Sequence, residues 1–259
     1  MTKGRHALSF SKNPVFKDFI KTICSGEPIV LVLGAGVSIE SGLPTWSGLL
    51  DQLGESIKDE HLNDLLRAAE TDPSRRAALT LSALHMNSGV GDNHRIVETL
   101  YKTLPQASGN LLLSLVGLIK RLGSKVKVIT LNYDDCLEYA LVKDGGYLLR
   151  DVHPYALEER DQWKECVNGV AILHVHGFLT RDQREGVTTK CDWENKGPVI
   201  LSEGEYIQYG STVQQIVHEE AARAHLIFVG TSLTDANITY PLSDRYAHRG
   251  GGSGEEVLP

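Results

Sequence analysis

Five short apolar runs punctuate the chain: "PIVLVLG" at 28–34, "KVKVITLNYD" at 125–134, "GVAILHVHG" at 169–177, "GPVILS" at 197–202 and "HLIFVG" at 225–230. Each is strand-sized, and most are nearly continuous in Val, Ile and Leu, the pattern of strands buried on both faces. Between them apolar residues recur at helical spacing. Residues 14–24 form one such stretch. Residues 46–104 hold four more, "LLDQLGESI", "HLNDLLRAAE", "RRAALTLSAL" and "RIVETLYKTL", parted by polar or Gly/Pro breaks. "NLLLSLVGLIKRLG" follows, with Gly123 placed to close it as a C-cap. "CLEYALVK" and "STVQQIVHEEAARA" complete the set. Strands alternating with helices predict an α/β domain over 14–240, a parallel sheet covered on both faces, with 46–104 as a helical insertion. Residues 248–259, rich in Gly and Ser, read as a flexible tail or linker, as at the edge of a longer chain.

Composition changes this picture little. The 259 residues are 41% hydrophobic and 23% charged, enough to bury a sizeable core. A net charge of −7 argues against a duplex-binding surface, which needs clustered Lys and Arg. No run approaches the roughly 18 apolar residues of a membrane span, and the first thirty residues lack a signal-peptide core. Cys24, Cys136, Cys166 and Cys191 lie far apart without a C-x-x-C pair. That spacing offers neither a zinc ribbon nor a disulfide framework, and it suggests reduced thiols in a cytoplasmic protein.

Chemistry gathers after the strands, where open parallel sheets bind their ligands. Gly34-Ala35-Gly36-Val37-Ser38 follows the first run, Asn132-Tyr133-Asp134 the second, His176-Gly177 the third and Gly230-Thr231-Ser232 the last. Each has a plain reading. Gly34-Ala35-Gly36 lacks the third glycine of a dinucleotide fingerprint, Ile39 standing there, and could be a tight turn. Asn132 and Asp134 could cap the helix at Cys136. His176 could be a satisfied core histidine, and Gly230-Thr231-Ser232 a simple helix start. His174, two residues before His176, would share its face on a strand and reads as a packing residue or one that supports the site from behind. Asp235 and Asn237 read as helix caps, with contact to adenosine as the alternative, and Glu203 and Glu205 as a solvated helix start.

Taken as a set, in this order, these motifs resemble the sirtuin family over residues 28–238. The family's Gly-Ala-Gly-x-Ser and Ser-Gly-x-Pro elements correspond to Gly34–Ser38 and Ser41–Pro44. Its Asn-x-Asp corresponds to Asn132 and Asp134, its His-Gly to His176 and Gly177, and its Gly-Thr-Ser-Leu to Gly230–Leu233. Two departures separate the chain from deacylating sirtuins. Thr45-Trp46-Ser47 replaces Asp-Phe-Arg, and the two C-x-x-C pairs of the zinc module are absent, only Cys191 lying in that interval. "TLNYDDCLE", "HVHGFL", "LSEGEY" and "FVGTSLTDANI" are instead similar to bacterial sirtuin-like NADases of anti-phage systems.

The resemblance implies a Rossmann-like sheet and a reaction on NAD+ as substrate, with no metal expected. Asn132 would orient ribose hydroxyls or the attacking water, Asp134 would hold the nicotinamide carboxamide, and His176 would act as general base. Gly34, Ala35, Gly36 and Ser38 would cradle the pyrophosphate, with Thr231 and Ser232 on the phosphate or adenosine-ribose side. Pro44 would belong to a loop folded over the nicotinamide ribose, and Trp46, Gly177 and Gly230 would complete the cofactor site. The implied activity is hydrolysis of NAD+ to nicotinamide and ADP-ribose, gated by homo-oligomerisation or by a sensor domain or partner. No nucleic-acid or membrane contact is expected of this domain. The alternatives are an NAD-dependent protein deacylase and a catalytically silent module binding NAD or ADP-ribose.

Overall fold

The computed structural model describes residues 13–55, 57, 64, 76–80, 82–83, 92–103, 107–183, 191 and 193–249. Most of the expected helices between 56 and 91, and the tail from 250 onward, lie outside these residues.

Among the described residues the sheet has five strands, β1 (Ile29–Leu33), β2 (Val126–Thr130), β3 (Val152–Ala156), β4 (Val170–His174) and β5 (His225–Val229). They pair in the order β3-β4-β2-β1-β5, and every pairing is parallel. Around them run α1 (Pro14–Cys24), α2 (Gly36–Ile39), α3 (Trp46–Glu55), α4 (Asp92–Leu100), α5 (Asn110–Leu122), α6 (Cys136–Lys143), α7 (Arg160–Glu165), α8 (Glu203–Arg223) and α9 (Ala236–Arg249). The fold is the expected α/β, Rossmann-like one.

Strand alternation divides the core into two layers. Ile29, Leu31 and Leu33 of β1 pack with Val128 and Ile172 against Leu112, Leu115, Val116 and Ile119, the inward stripe of α5. Val30 and Val32 pack with Ile129, Ala171 and Leu173 against Val213, Ile216 and Val217 of α8. Helix ends follow local chemistry. Gly123, at φ 60°, closes α5 where a side chain would be strained. Ser202 and Glu205 form a reciprocal capping box at the start of α8, the helix start expected at Glu203 and Glu205.

Two expectations need correction. Residues 197–202 are not a strand. Val199, Ile200 and Leu201 are buried, but their backbone crosses the carboxyl ends of the strands. Ile200 N–H donates to the His176 carbonyl, and Tyr133 Oη donates to the Ile200 carbonyl. The fifth strand is β3, whose alternating "VHPYA" carries His, Pro and Tyr instead of a continuous apolar run. Pro154 is tolerated because β3 is an edge strand. In addition α9 extends through Arg249, so 248 and 249 are helical rather than tail.

Candidate functional site

β1 neighbours β2 on one side and β5 on the other. The chain builds from β1 toward the β3 edge and returns to add β5 on the far side. This reversal is a topological switch point, and the loops after β1 and β5 must part there. A cavity of about 770 Å³ opens at that place, lined by Gly34, Ala35, Gly36, Pro44, Trp46, Asn132, Tyr133, Asp134, His176, Tyr206, Gly230, Thr231, Ser232 and Asp235 among others. Its size suits a bound small molecule. A second cavity of about 650 Å³ lies at the opposite strand ends, against Pro28, Ala224 and His225, and holds none of the residues singled out above.

The floor is closed by three glycines. Gly34 N–H donates to the Val229 carbonyl at 3.0 Å and Gly36 N–H to the Gly230 carbonyl at 2.8 Å. A Cβ on Gly34 would lie 2.7 Å from Thr231 Cα, and one on Gly36 would lie 2.8 Å from the Gly230 oxygen. These glycines therefore let β1 and β5 meet beyond the sheet. Their own N–H groups are committed to the Val229 and Gly230 carbonyls, while Gly34, Ala35 and Gly36 still line the cavity.

Asn132 reaches across the floor. Its Nδ2 donates to the Gly34 carbonyl at 3.1 Å and to Ser38 Oγ at 3.2 Å. A carbonyl only accepts, so the amide orientation is fixed and Oδ1 is left as an acceptor at the cavity. Ser38 Oγ in turn donates to Asp134 Oδ1 at 2.9 Å, which also accepts from Cys136 N–H at 3.1 Å. Ser38 is buried and does not line the cavity. It ties the Asn132 and Asp134 side chains together. Asp134 thus holds the first N–H of α6, one residue ahead of the Asp135 cap position, and faces the cavity at once. Burial raises its pKa above the ordinary carboxylate value despite the bonds from Ser38 and Cys136.

His176 stands where the chain turns after β4. Its Nδ1 lies 3.2 Å from the Leu131 carbonyl, so the neutral ring carries its proton there and keeps a lone pair on Nε2. Nε2 lies 3.3 Å from Asp235 Oδ2 but makes no aligned hydrogen bond among the described residues. The carboxylate is placed to pair by charge with this nitrogen once it takes up a proton. Asp235 also caps α9, its Oδ1 accepting from Asn237 N–H at 2.9 Å. Burial acts to raise the Asp235 pKa, but His176 and the N–H groups of Asn237 and Ile238 outweigh it and hold the carboxyl below its ordinary value. The capping reading of Asp235 was thus half of its role. The pairing with His176 had no signal in local sequence.

Aromatic rings wall the cavity. Trp46 and Tyr133 have centroids 5.9 Å apart, Tyr133 and His176 6.3 Å, and His176 and Tyr206 5.2 Å. Tyr206, from "LSEGEY", had drawn no role from its own position in the sequence. Pro44, Thr231 and Ser232 line the cavity, whereas Gly177 does not. At φ 96°, a Cβ on Gly177 would approach the Pro198 oxygen to 2.5 Å, so its task is to let 197–201 pass. His174 points elsewhere than His176, because β4 ends at His174 and the two-residue alternation stops.

A family model for the SIR2-like domain matches residues 126–257, just over half of the chain. The chain belongs to this family, which places it among proteins of NAD-related chemistry. A search of curated proteins found no match. The family match begins at β2 and so includes Asn132, Asp134, His176 and Gly230–Ser232. Gly34 and Ser38 lie before it, and the hydrogen bonds to Asn132 and Asp134 join them to the same site.

Proposed function

We propose that the chain is an NAD+ hydrolase, cleaving the nicotinamide–ribose bond to release nicotinamide and ADP-ribose. The observation that carries this reading is the convergence of Asn132, Asp134 and His176 on one aromatic-walled cavity at the switch point. Leaving-group departure builds positive charge on the ribose carbon. The Asn132 Oδ1 acceptor suits a ribose hydroxyl or the incoming water. The Nε2 lone pair of His176 suits proton removal, and the Asp235 carboxylate beside it favours the imidazolium that results. Asp134 offers its second carboxyl oxygen to the carboxamide of nicotinamide. Trp46, Tyr133 and Tyr206 supply planar faces and limit water to what the site positions.

The single cysteine between His176 and Gly230 disfavours the deacylase alternative, whose peptide cleft needs the zinc module. A silent binding module would have no use for a histidine held with its lone pair toward a carboxylate. We further propose that the activity is held in check by an oligomeric or partner-dependent gate, as in the anti-phage effectors that the motifs resemble.

The test is incubation of the protein with NAD+, following nicotinamide and ADP-ribose by chromatography, beside His176→Ala and Asn132→Ala. Turnover without acyl-peptide that both substitutions abolish supports the hydrolase. Turnover only with an acylated peptide would replace it by the deacylase, and tight NAD+ binding insensitive to His176→Ala would replace it by the binding module.

A further inference from the structure

Beneath Asn132 lies a buried pair that the function above does not use. His174 and Glu138 are both fully buried. His174 Nδ1 is 3.0 Å from the Asn132 carbonyl and its Nε2 is 2.8 Å from Glu138 Oε1. The carbonyl can only accept, so Nδ1 carries a proton. The contact at Nε2 then requires a second proton, either on Nε2 facing a carboxylate or on Glu138 facing the ring lone pair. Glu138 Oε2 is buried with no hydrogen-bond partner among the described residues. Such an orphan is costly, and packing alone would be better served by an apolar residue. The Phe178 ring, 4.6 Å from His174, closes the remaining side.

We propose that Glu138 and His174 form a proton-holding brace that fixes the Asn132 backbone and so sets the amide presented to the cavity. Both are positioning residues, since neither lines the cavity. Asn132 is otherwise held by its amide, through Gly34 and Ser38, and by its own N–H, which donates to Thr130 Oγ1 at 3.1 Å. The brace supplies the opposing contact from below. The inference rests on the hydrolase reading for its kinetic readout only.

The experiment compares wild type, Glu138→Gln, Glu138→Leu and His174→Gln for steady-state NAD+ cleavage, melting temperature and hydrogen exchange of the Asn132–Cys136 amides. Gln at 138 can either donate to or accept from Nε2, so it keeps Nδ1–H on the Asn132 carbonyl in both protonation schemes. We expect Glu138→Gln to retain kcat. Glu138→Leu and His174→Gln should lose about tenfold or more in kcat with a smaller change in KM, the scale of a misplaced catalytic group. They should also lose protection at Asn132–Cys136 while melting well above the assay temperature. Unchanged kcat and unchanged local exchange in Glu138→Leu would overturn the brace. So would equal losses in Glu138→Gln and Glu138→Leu. If wild type cleaves no NAD+, because the gate holds it or because it is no hydrolase, the exchange pattern of the same variants still decides the brace.

Discussion

His176 Nε2 and Asp235 Oδ2 lie 3.3 Å apart, joining the turn after β4 to the start of α9 across the cavity. The pair places a carboxylate beside the one ring nitrogen that is free to accept a proton. Asp235→Asn removes the charge and keeps an Oδ1 acceptor for Asn237 N–H, so the start of α9 should survive. We expect kcat for NAD+ cleavage to fall about tenfold, part of what a general base contributes, with KM changing less. Steady-state kinetics at neutral pH check it, and an unchanged kcat would remove Asp235 from the mechanism.

The same pair has a pH signature. The Asp235 pKa is lowered in the folded chain, so its carboxylate stabilises the fold fully above the unfolded value, about 4. That contribution fades as pH falls through the lower folded value. The stability difference between wild type and Asp235→Asn should therefore be steady from neutral pH to about 4 and close below it. Urea unfolding at a series of pH values measures this. A gap that persists to the acid end would mean that the charge plays no part.

Ser38→Ala separates two assignments. If Ser38 ties Asn132 to Asp134, alanine removes a buried hydroxyl that donates to one and accepts from the other. The expected cost is about 1–3 kcal/mol of stability. A drop in kcat should accompany it while KM for NAD+ moves little. A raised KM with kcat intact would return Ser38 to a phosphate-binding role.

Much of this architecture was legible because its signals are local. Apolar runs marked four of the five strands, Gly123 marked the end of α5, and Glu203 and Glu205 marked the start of α8. Position after a strand marked Asn132, Asp134 and His176. What escaped depends on tertiary contacts. β3 pairs by its backbone while its side chains alternate, and 197–201 is apolar because it is buried over the site, without strand partners. The glycines of Gly34-Ala35-Gly36 read as room for a phosphate. Gly230 and Thr231 also pack closely against Gly34 and Gly36, which no local pattern could show.

That packing gives a further expectation. Gly36→Ala would bring a Cβ to within 2.8 Å of the Gly230 carbonyl oxygen and 2.9 Å of its Cα, both backbone atoms that cannot swing aside. We expect a loss of about 1–3 kcal/mol, the scale of overpacking. NAD+ affinity should weaken with it, because the β1 and β5 loops would part. Thermal unfolding and calorimetric NAD+ binding test both. An alanine variant as stable as wild type would show that the two loops are not locked together.

Asp135 and Arg181 decide how the Asn132–Asp134 turn is held from its other end. Arg181 Nε and Nη2 both lie 2.8 Å from Asp135 Oδ1, while Arg181 N–H and Thr180 Oγ1 donate to Oδ2 at 2.7 and 3.0 Å. Burial raises the Asp135 pKa above the ordinary value despite the guanidinium. Arg181 stacks on Tyr139 at 3.9 Å. Arg181→Met would leave a buried carboxylate without its counter-charge, an expected loss of about 3–5 kcal/mol. Pairing it with Asp135→Leu removes the stranded charge as well, and stability should recover most of that loss. Activity should not recover, because an aliphatic side chain in place of Asp135 cannot accept from the Thr180 and Arg181 donors that anchor the turn beside Asp134. Chemical denaturation and NAD+ cleavage on the single and double variants test the two halves separately. Recovery of both would make the pair a matter of stability alone.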